Sequence, residues 1–249
     1  MKCFAGKTIL IADSHLSGDE EEKKVFFRML AEIRESTPKC IVFLGDIFEL
    51  WIALAGYENE LHREFLAFCN EVKNEFPIYF IEGNHEFYLR HHRKKFTLVD
   101  SGKIALGKSL FLHGDTINKA DWKYASLRLL IRNFLTSFFL RLLVLSWGVE
   151  AVNRIRLILK PSNKTHKSRF PYEASEIFLR ELSASRNKKI TRLFTGHFHT
   201  FHKMEFDGIR LFTIPAWDME KCTVGIWDEE MDSLQIFSRK DGSRTSGQN

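Results

Sequence analysis

The chain is poor in cysteine and proline. Its four cysteines, Cys3, Cys40, Cys69 and Cys222, form no CxxC pair. That spacing argues against a zinc ribbon or a disulfide scaffold and makes a reducing, cytoplasmic setting the expectation. Five prolines and 14 glycines in 249 residues are too few for a collagenous or low-complexity chain. The N-terminus lacks the apolar core and cleavage site of a secretory leader. The one long apolar stretch, 127–149, is broken by Arg128, Arg132 and Arg141. A spanning helix needs about 20 nearly uninterrupted apolar residues, so no bilayer crossing is expected there.

Apolar content is ample: 44% of residues are hydrophobic and 23 are Phe, which excludes intrinsic disorder for most of the chain. The net charge of +5 favours anionic partners. That charge is unevenly spread. Residues 119–170 carry eleven Lys and Arg against only Asp121 and Glu150, so the positive charge lies in one segment, which also holds the longest apolar run.

Short β-branched or aromatic runs at Thr8–Ala12, Cys40–Leu44, Ile78–Ile81 and Ser109–Leu112 read as buried strands. Helical faces separate the first three: Val25, Met29, Leu30 and Ile33, then Leu61, Phe65, Phe68 and Val72. The βαβαβ start is followed near the C-terminus by strands at Thr191–Thr195, Ile209–Ile214, Thr223–Trp227 and Leu234–Phe237, read as an antiparallel finish. The fold class predicted is mixed α/β. Residues 1–118 and 171–238 form the predicted core, with a helix from Tyr172 to about Ser185. Residues 119–170 form a helical cap inserted into it, and the polar tail 239–249 is expected to be disordered.

Five clusters sit at or just after these strands: Asp13-Ser-His15, Gly45-Asp46, Gly83-Asn-His-Glu86, His113-Gly-Asp115 and Gly196-His-Phe-His199. In Asp13-x-His15 and His197-x-His199 the period of an extended chain puts both side chains on one side, so each pair can grip one ion. With Asp46, Asn84 and His113 the donors are carboxylates, imidazoles and one amide oxygen, a set suited to hard or borderline divalent metals. Seven donors exceed what one ion needs, and two ions sharing Asp46 account for all of them. Such a pair, about 3.5–4 Å apart, activates water and clamps a phosphoryl group for in-line attack.

The ordered series Asp13-x-His15, Gly45-Asp46, Gly83-Asn84-His85-Glu86, His113 and Gly196-His197-x-His199 resembles the calcineurin-like metallophosphoesterase superfamily, and the match spans residues 7 to 228. The resemblance implies a four-layer αββα sandwich and two divalent cations, most commonly manganese. It assigns Asp13, His15 and His199 to the first ion and Asn84, His113 and His197 to the second, with Asp46 bridging. The catalytic set it implies is Asp46, Asn84 and His85. His85 would donate a proton to the leaving group or stabilise charge on the phosphoryl oxygens, with Glu86 orienting it.

A narrower similarity, in Gly45–Trp51, His113–Thr116, the basic insertion and Ala216-Trp217, is to the UDP-2,3-diacylglucosamine diphosphatases of lipid A synthesis. It implies cleavage of a UDP-linked glycolipid to UMP and the lipid sugar 1-phosphate. Asn84, His85, Asp121, Tyr124, Lys164, Lys167 and His197 are then the substrate contacts. The setting implied is the cytoplasmic face of the inner membrane, held peripherally. The chain departs from those enzymes in carrying His85 where they have Arg, and Glu86 where Asp is usual. A general phosphoesterase acting on nucleotides or other phosphodiesters is the alternative reading, and a binding scaffold without turnover is a third.

The apolar residues around Arg128 and Arg132 cover more than one helical face, which predicts contact with acyl chains or a membrane surface. No nucleic acid partner is expected, because the basic segment lacks a regular series of stacking aromatics. His62, His91, His92, His166 and His202 have no motif partner and are expected at the surface.

Overall fold

The computed structural model describes residues 4–54, 56–117, 136, 138, 139, 142, 170–185 and 189–239, together with the backbone of 245 and 246. Strands β1 (Thr8–Ile11), β2 (Cys40–Phe43) and β4 (Ile78–Ile81) lie side by side in parallel, joined by helices α1 (Glu20–Glu35) and α2 (Glu60–Val72). β6 (Leu98–Asp100) extends this sheet on one edge. On the other edge β12 (Val224–Asp228), β13 (Ser233–Phe237) and the two-residue β14 (Thr245–Ser246) complete seven strands. β14 lies within the tail for which the sequence predicts disorder.

A second sheet has five strands: β10 (Lys203–Phe206), β11 (Ile209–Thr213), β9 (Arg192–Thr195), β8 (Ser109–Leu112) and β7 (Lys103–Leu106), in that order. The antiparallel finish expected from the sequence holds for β12 and β13 and is corrected for β9. β9 lies parallel to both β8 and β11, and the late strands divide between the two sheets. The return through helix α3 (Tyr172–Ala184) makes a parallel neighbour possible, since parallel strands need a long crossover.

Alternation within each strand builds the layers. In β1 and β2, Ile9, Ile11, Ile41 and Phe43 point at Phe26, Leu30 and Ile33 of α1 and Phe65 and Val72 of α2. Their neighbours Leu10 and Val42 point the other way, onto Phe111, Phe194 and Phe212 of the second sheet. The far face of that sheet, through Leu110, Leu112, Leu193 and Leu211, covers Leu179 of α3. Strands buried on both faces read as unbroken apolar runs, and the result is the αββα sandwich.

Helices α1 and α2 start at side-chain caps. The Asp19 carboxylate accepts the N–H groups of Glu21 and Glu22, and Asn59 forms a reciprocal box with His62. His62 corrects the surface expectation: it is 2% exposed and stacks on Trp51 with ring centroids 5.0 Å apart. Its ring fills the core while its Nδ1 accepts the Asn59 N–H, so a polar side chain is buried with its hydrogen bond made. A small ribbon pairs β3 (Trp51–Ile52) with β5 (Glu86–Phe87), and a short 3₁₀ segment, Leu89–Lys95, follows it.

Candidate metal centre

Parallel strands end at a common edge, and that edge gathers the chemistry. Asp13 follows β1, Asp46 follows β2, Asn84 follows β4, His113 follows β8, and His197 and His199 follow β9. Three overlapping groups place their donor atoms within 4.8 Å of one another: Asp13, His15 and His199; His15, Asp46 and His85; Asp46, His113 and His197. Asp46 is common to the second and third. Its Oδ2 is 3.3 Å from His113 Nε2 and 3.7 Å from His85 Nε2. Asn84 Oδ1 lies 3.1 Å from His113 Nε2, and His197 Nδ1 lies 3.3 Å from the same nitrogen. At the other end His15 Nε2 and His199 Nε2 face each other at 3.3 Å, with Asp13 Oδ1 3.8 Å from His199.

Backbone groups fix the orientation of two of these rings. His113 Nδ1–H donates to the Leu44 carbonyl at 2.8 Å and His85 Nδ1–H to the Glu49 carbonyl at 2.7 Å. Each bond assigns the tautomer and turns Nε2 toward the centre. His85 is thus oriented by a carbonyl, not by Glu86 as the sequence suggests. The Glu86 carboxylate, 0% exposed, accepts the N–H groups of Asp46 at 2.7 Å, Ile47 at 2.6 Å, Phe48 at 3.3 Å and Gly83 at 2.9 Å. Two loops converge on this one side chain.

The loops are strained. Asp13, His15, Asp46, His197 and His199 have φ values of 52°, 45°, 53°, 70° and 58°, in the left-handed region that non-glycine residues rarely adopt. Backbone bonds hold them there: Asp13 N–H to Gly45 at 3.0 Å and His15 N–H to Asp46 at 2.9 Å. Gly83 leaves room for the Asp46 side chain, since a Cβ at Gly83 would sit 2.1 Å from Asp46 Oδ1.

Electrostatics separate the two aspartates. Burial and the nearby Asp46 charge raise the Asp13 carboxyl well above its ordinary value, against the pull of His113. Burial opposes ionisation of Asp46 too, but His113, His85 and His15 outweigh it and hold that carboxyl well below the usual range. His15 and His197 are each pushed down to about 4, chiefly by burial. His113 resists burial because of Asp46 and rises to about 10. Glu86 is pushed up to about 8 by burial and by Asp46.

The donor set fits divalent cations on its own geometry. Asp13 Oδ1 is buried with no hydrogen-bond partner among the described residues. Two imidazole nitrogens that face each other beside it, and a second knot of imidazole, amide and carboxylate atoms around Asp46, share a demand for positive charge. Asp121, Tyr124, Lys164 and Lys167 lie outside the described residues. The carbonyl tethers on His85 and His113 leave no trace in a sequence, because a backbone oxygen has no residue signature. Glu86 stood in its motif but with another task.

The profile of the calcineurin-like phosphoesterases matches residues 6–201. The chain belongs to this family. It is accordingly a metal-dependent hydrolase with the calcineurin-like fold. It is 27% identical over 239 residues to the UDP-2,3-diacylglucosamine hydrolase of Salmonella arizonae, covering 91% of this chain and 98% of that one. To the protein of the same name from Stutzerimonas stutzeri it is 28% identical, over 92% of this chain and 94% of the relative. Among solved structures, an archaeal phosphodiesterase aligns over 93% of this chain and 99% of its own, with a TM-score of 0.48 and 11% identity. No helix among the described residues is long and apolar enough to cross a membrane.

Proposed function

We propose that this calcineurin-like hydrolase cleaves the diphosphate of UDP-2,3-diacylglucosamine, giving UMP and 2,3-diacylglucosamine 1-phosphate. One observation carries the reading: a seven-donor centre at the strand ends of a chain aligned with relatives of that name over more than nine tenths of both lengths. Asp13, His15 and His199 would hold one ion and Asn84, His113 and His197 a second, with Asp46 shared and manganese the metal to test first. Bound divalent cations supply Lewis-acid polarisation of a phosphoryl oxygen and a water of lowered pKa.

The chain's own groups do the rest. His85, fixed through Nδ1, presents Nε2 to stabilise the phosphoryl oxygens or to protonate the leaving group. Residues 119–170 would act as a lid, with Asp121, Tyr124, Lys164 and Lys167 toward the diphosphate and the sugar. Within that segment Phe138, Phe139 and Leu142 are 49%, 61% and 42% exposed, as acyl-chain contact or peripheral docking on an inner membrane requires.

Metal-dependent release of UMP from purified UDP-2,3-diacylglucosamine, abolished by Asp46→Ala, is the test. Brisk hydrolysis of bis(p-nitrophenyl) phosphate by a protein inert toward the glycolipid would sink the assignment. That outcome is the second reading, a general phosphoesterase. His85 in place of the arginine, and a His199 side chain 52% exposed at the mouth of the centre, favour it.

A further inference from the structure

The 3₁₀ segment after the Gly83–Glu86 loop carries Arg90, Arg93, Lys94 and Lys95, which take no part in the centre. Five of the seven other described arginines meet carboxylates: Arg34 meets Glu71 and Glu75, Arg180 meets Glu176, Arg192 and Arg210 share Asp232, and Arg239 meets Glu32. Arg90, Arg93 and Lys94 are exposed, and none forms an ion pair with a described residue. The nearby acids are engaged otherwise. Glu58 pairs with His92 at 2.8 Å. Glu82 accepts the Leu89 N–H at 2.6 Å, and Asp100 accepts those of Gly102 at 2.7 Å and Lys103 at 3.0 Å.

A groove of ≈ 440 Å³ runs beside them along β6, lined by Arg90, Arg93, Thr97, Leu98 and Asp100. β6 is the edge of the seven-stranded sheet. It runs parallel to β4, and the Glu82 N–H bonds the Asp100 carbonyl at 3.0 Å. The groove also takes in Glu82, two residues before Asn84, and so approaches the loop that holds Asn84. Leu98, 46% exposed, stands within it.

We infer that Arg90, Arg93, Lys94 and the groove along β6 are a docking surface for the headgroups of anionic phospholipids. The inference rests on the lipid-substrate reading, which it deepens by naming the face that meets the bilayer. Guanidinium forks match phosphate oxygens and ammonium groups add point charge. Unpaired cations beside one exposed leucine suit an interface of charged headgroups over shallow hydrocarbon. Nucleic acid is disfavoured, since no Phe, Tyr or Trp between 89 and 103 is exposed for a base to stack on.

The test is sedimentation of the full chain with vesicles of phosphatidylcholine alone, and with phosphatidylglycerol and phosphatidylcholine in equal parts. The wild type should bind only the anionic vesicles, more weakly as salt rises. Each cation near such a surface contributes roughly fivefold in affinity, so Arg90→Ala/Arg93→Ala/Lys94→Ala should weaken binding about 100-fold. Its turnover of bis(p-nitrophenyl) phosphate should remain unchanged. Equal binding by the triple variant, no binding by the wild type, or tighter binding to duplex DNA through these residues would each overturn the inference. UMP release from detergent-dispersed substrate reads the proposed activity separately. A protein that docks but releases no UMP refutes the activity alone, and one that releases UMP but docks independently of these cations refutes the surface alone.

Discussion

Glu86 and Asp46 hold each other's loops. The Glu86 carboxylate accepts the Asp46 N–H at 2.7 Å, and the Asp46 carboxylate accepts the N–H of His85, the residue before Glu86, at 2.9 Å. The shared candidate ligand is thus placed by a buried acid whose carboxylate accepts the N–H groups of Asp46 and its neighbours.

Glu86→Ala leaves the N–H groups of Asp46, Ile47, Phe48 and Gly83 without their acceptor. A buried orphan donor costs about 1–3 kcal/mol, so the loss should exceed about 3 kcal/mol by urea unfolding and should weaken manganese binding by calorimetry. Glu86→Gln keeps one acceptor oxygen and should fall between. A variant as stable as wild type would show that the loops are held by something else.

His85→Ala should separate chemistry from metal binding. The side chain reaches the centre through Nε2 but stands outside the seven-donor set, so metal stoichiometry should hold while kcat falls by about 10²–10⁴-fold, the range of a lost general acid. Loss of a bound ion in parallel would make His85 a ligand instead.

Gly83→Ala should abolish activity, because the new methyl would collide with the Asp46 side chain and backbone at 2.1 and 2.6 Å. Gly107→Ala is the control. Its φ of +60° is left-handed, unlike that of Gly83, and nothing lies within 4 Å, so it should cost about 1 kcal/mol with turnover intact. Comparable activity in the two variants would refute the steric account.

Lys7 pairs with Asp228 where β1 meets β12. The Lys7 ammonium, then the Met231 and Glu230 N–H groups, hold the Asp228 carboxyl below its ordinary 3.8. A depressed carboxylate stabilises the fold above its unfolded value and loses that contribution as pH falls through the folded one. Asp228→Asn should therefore lower the stability read by urea unfolding at pH 6, by about 1 kcal/mol. The gap from wild type should close as pH falls from above 3.8 through the lowered folded-state value, and a gap unchanged by pH would contradict the ionic origin.

Much of this was legible in the sequence because two periodicities leave marks. Runs such as 9–11 and Cys40–Phe43 are apolar at every position since both faces are covered, and the donors follow soon after those runs. The short ribbon at Trp51–Ile52 and Glu86–Phe87 was invisible, as two residues carry no period. His62 was misplaced because an imidazole can fill a core as readily as a surface once Asn59 satisfies its nitrogen. Glu86 was given the wrong partner because adjacency in sequence says nothing about which N–H groups a buried carboxylate reaches. The parallel placement of β9 beside β8 and β11 depends on long-range crossovers, which strand composition does not encode.

The donors come from both sheets, and the contact between Asp13 and His197 spans 184 residues of chain. A ribosome delivers Asp13, His15, Asp46 and Asn84 long before His197 and His199. A nascent chain thus holds only part of the donor set until β9 has emerged and docked between β8 and β11. Capture of cations by the complete set is consequently a late event in biosynthesis, since it needs donors from both ends of the chain.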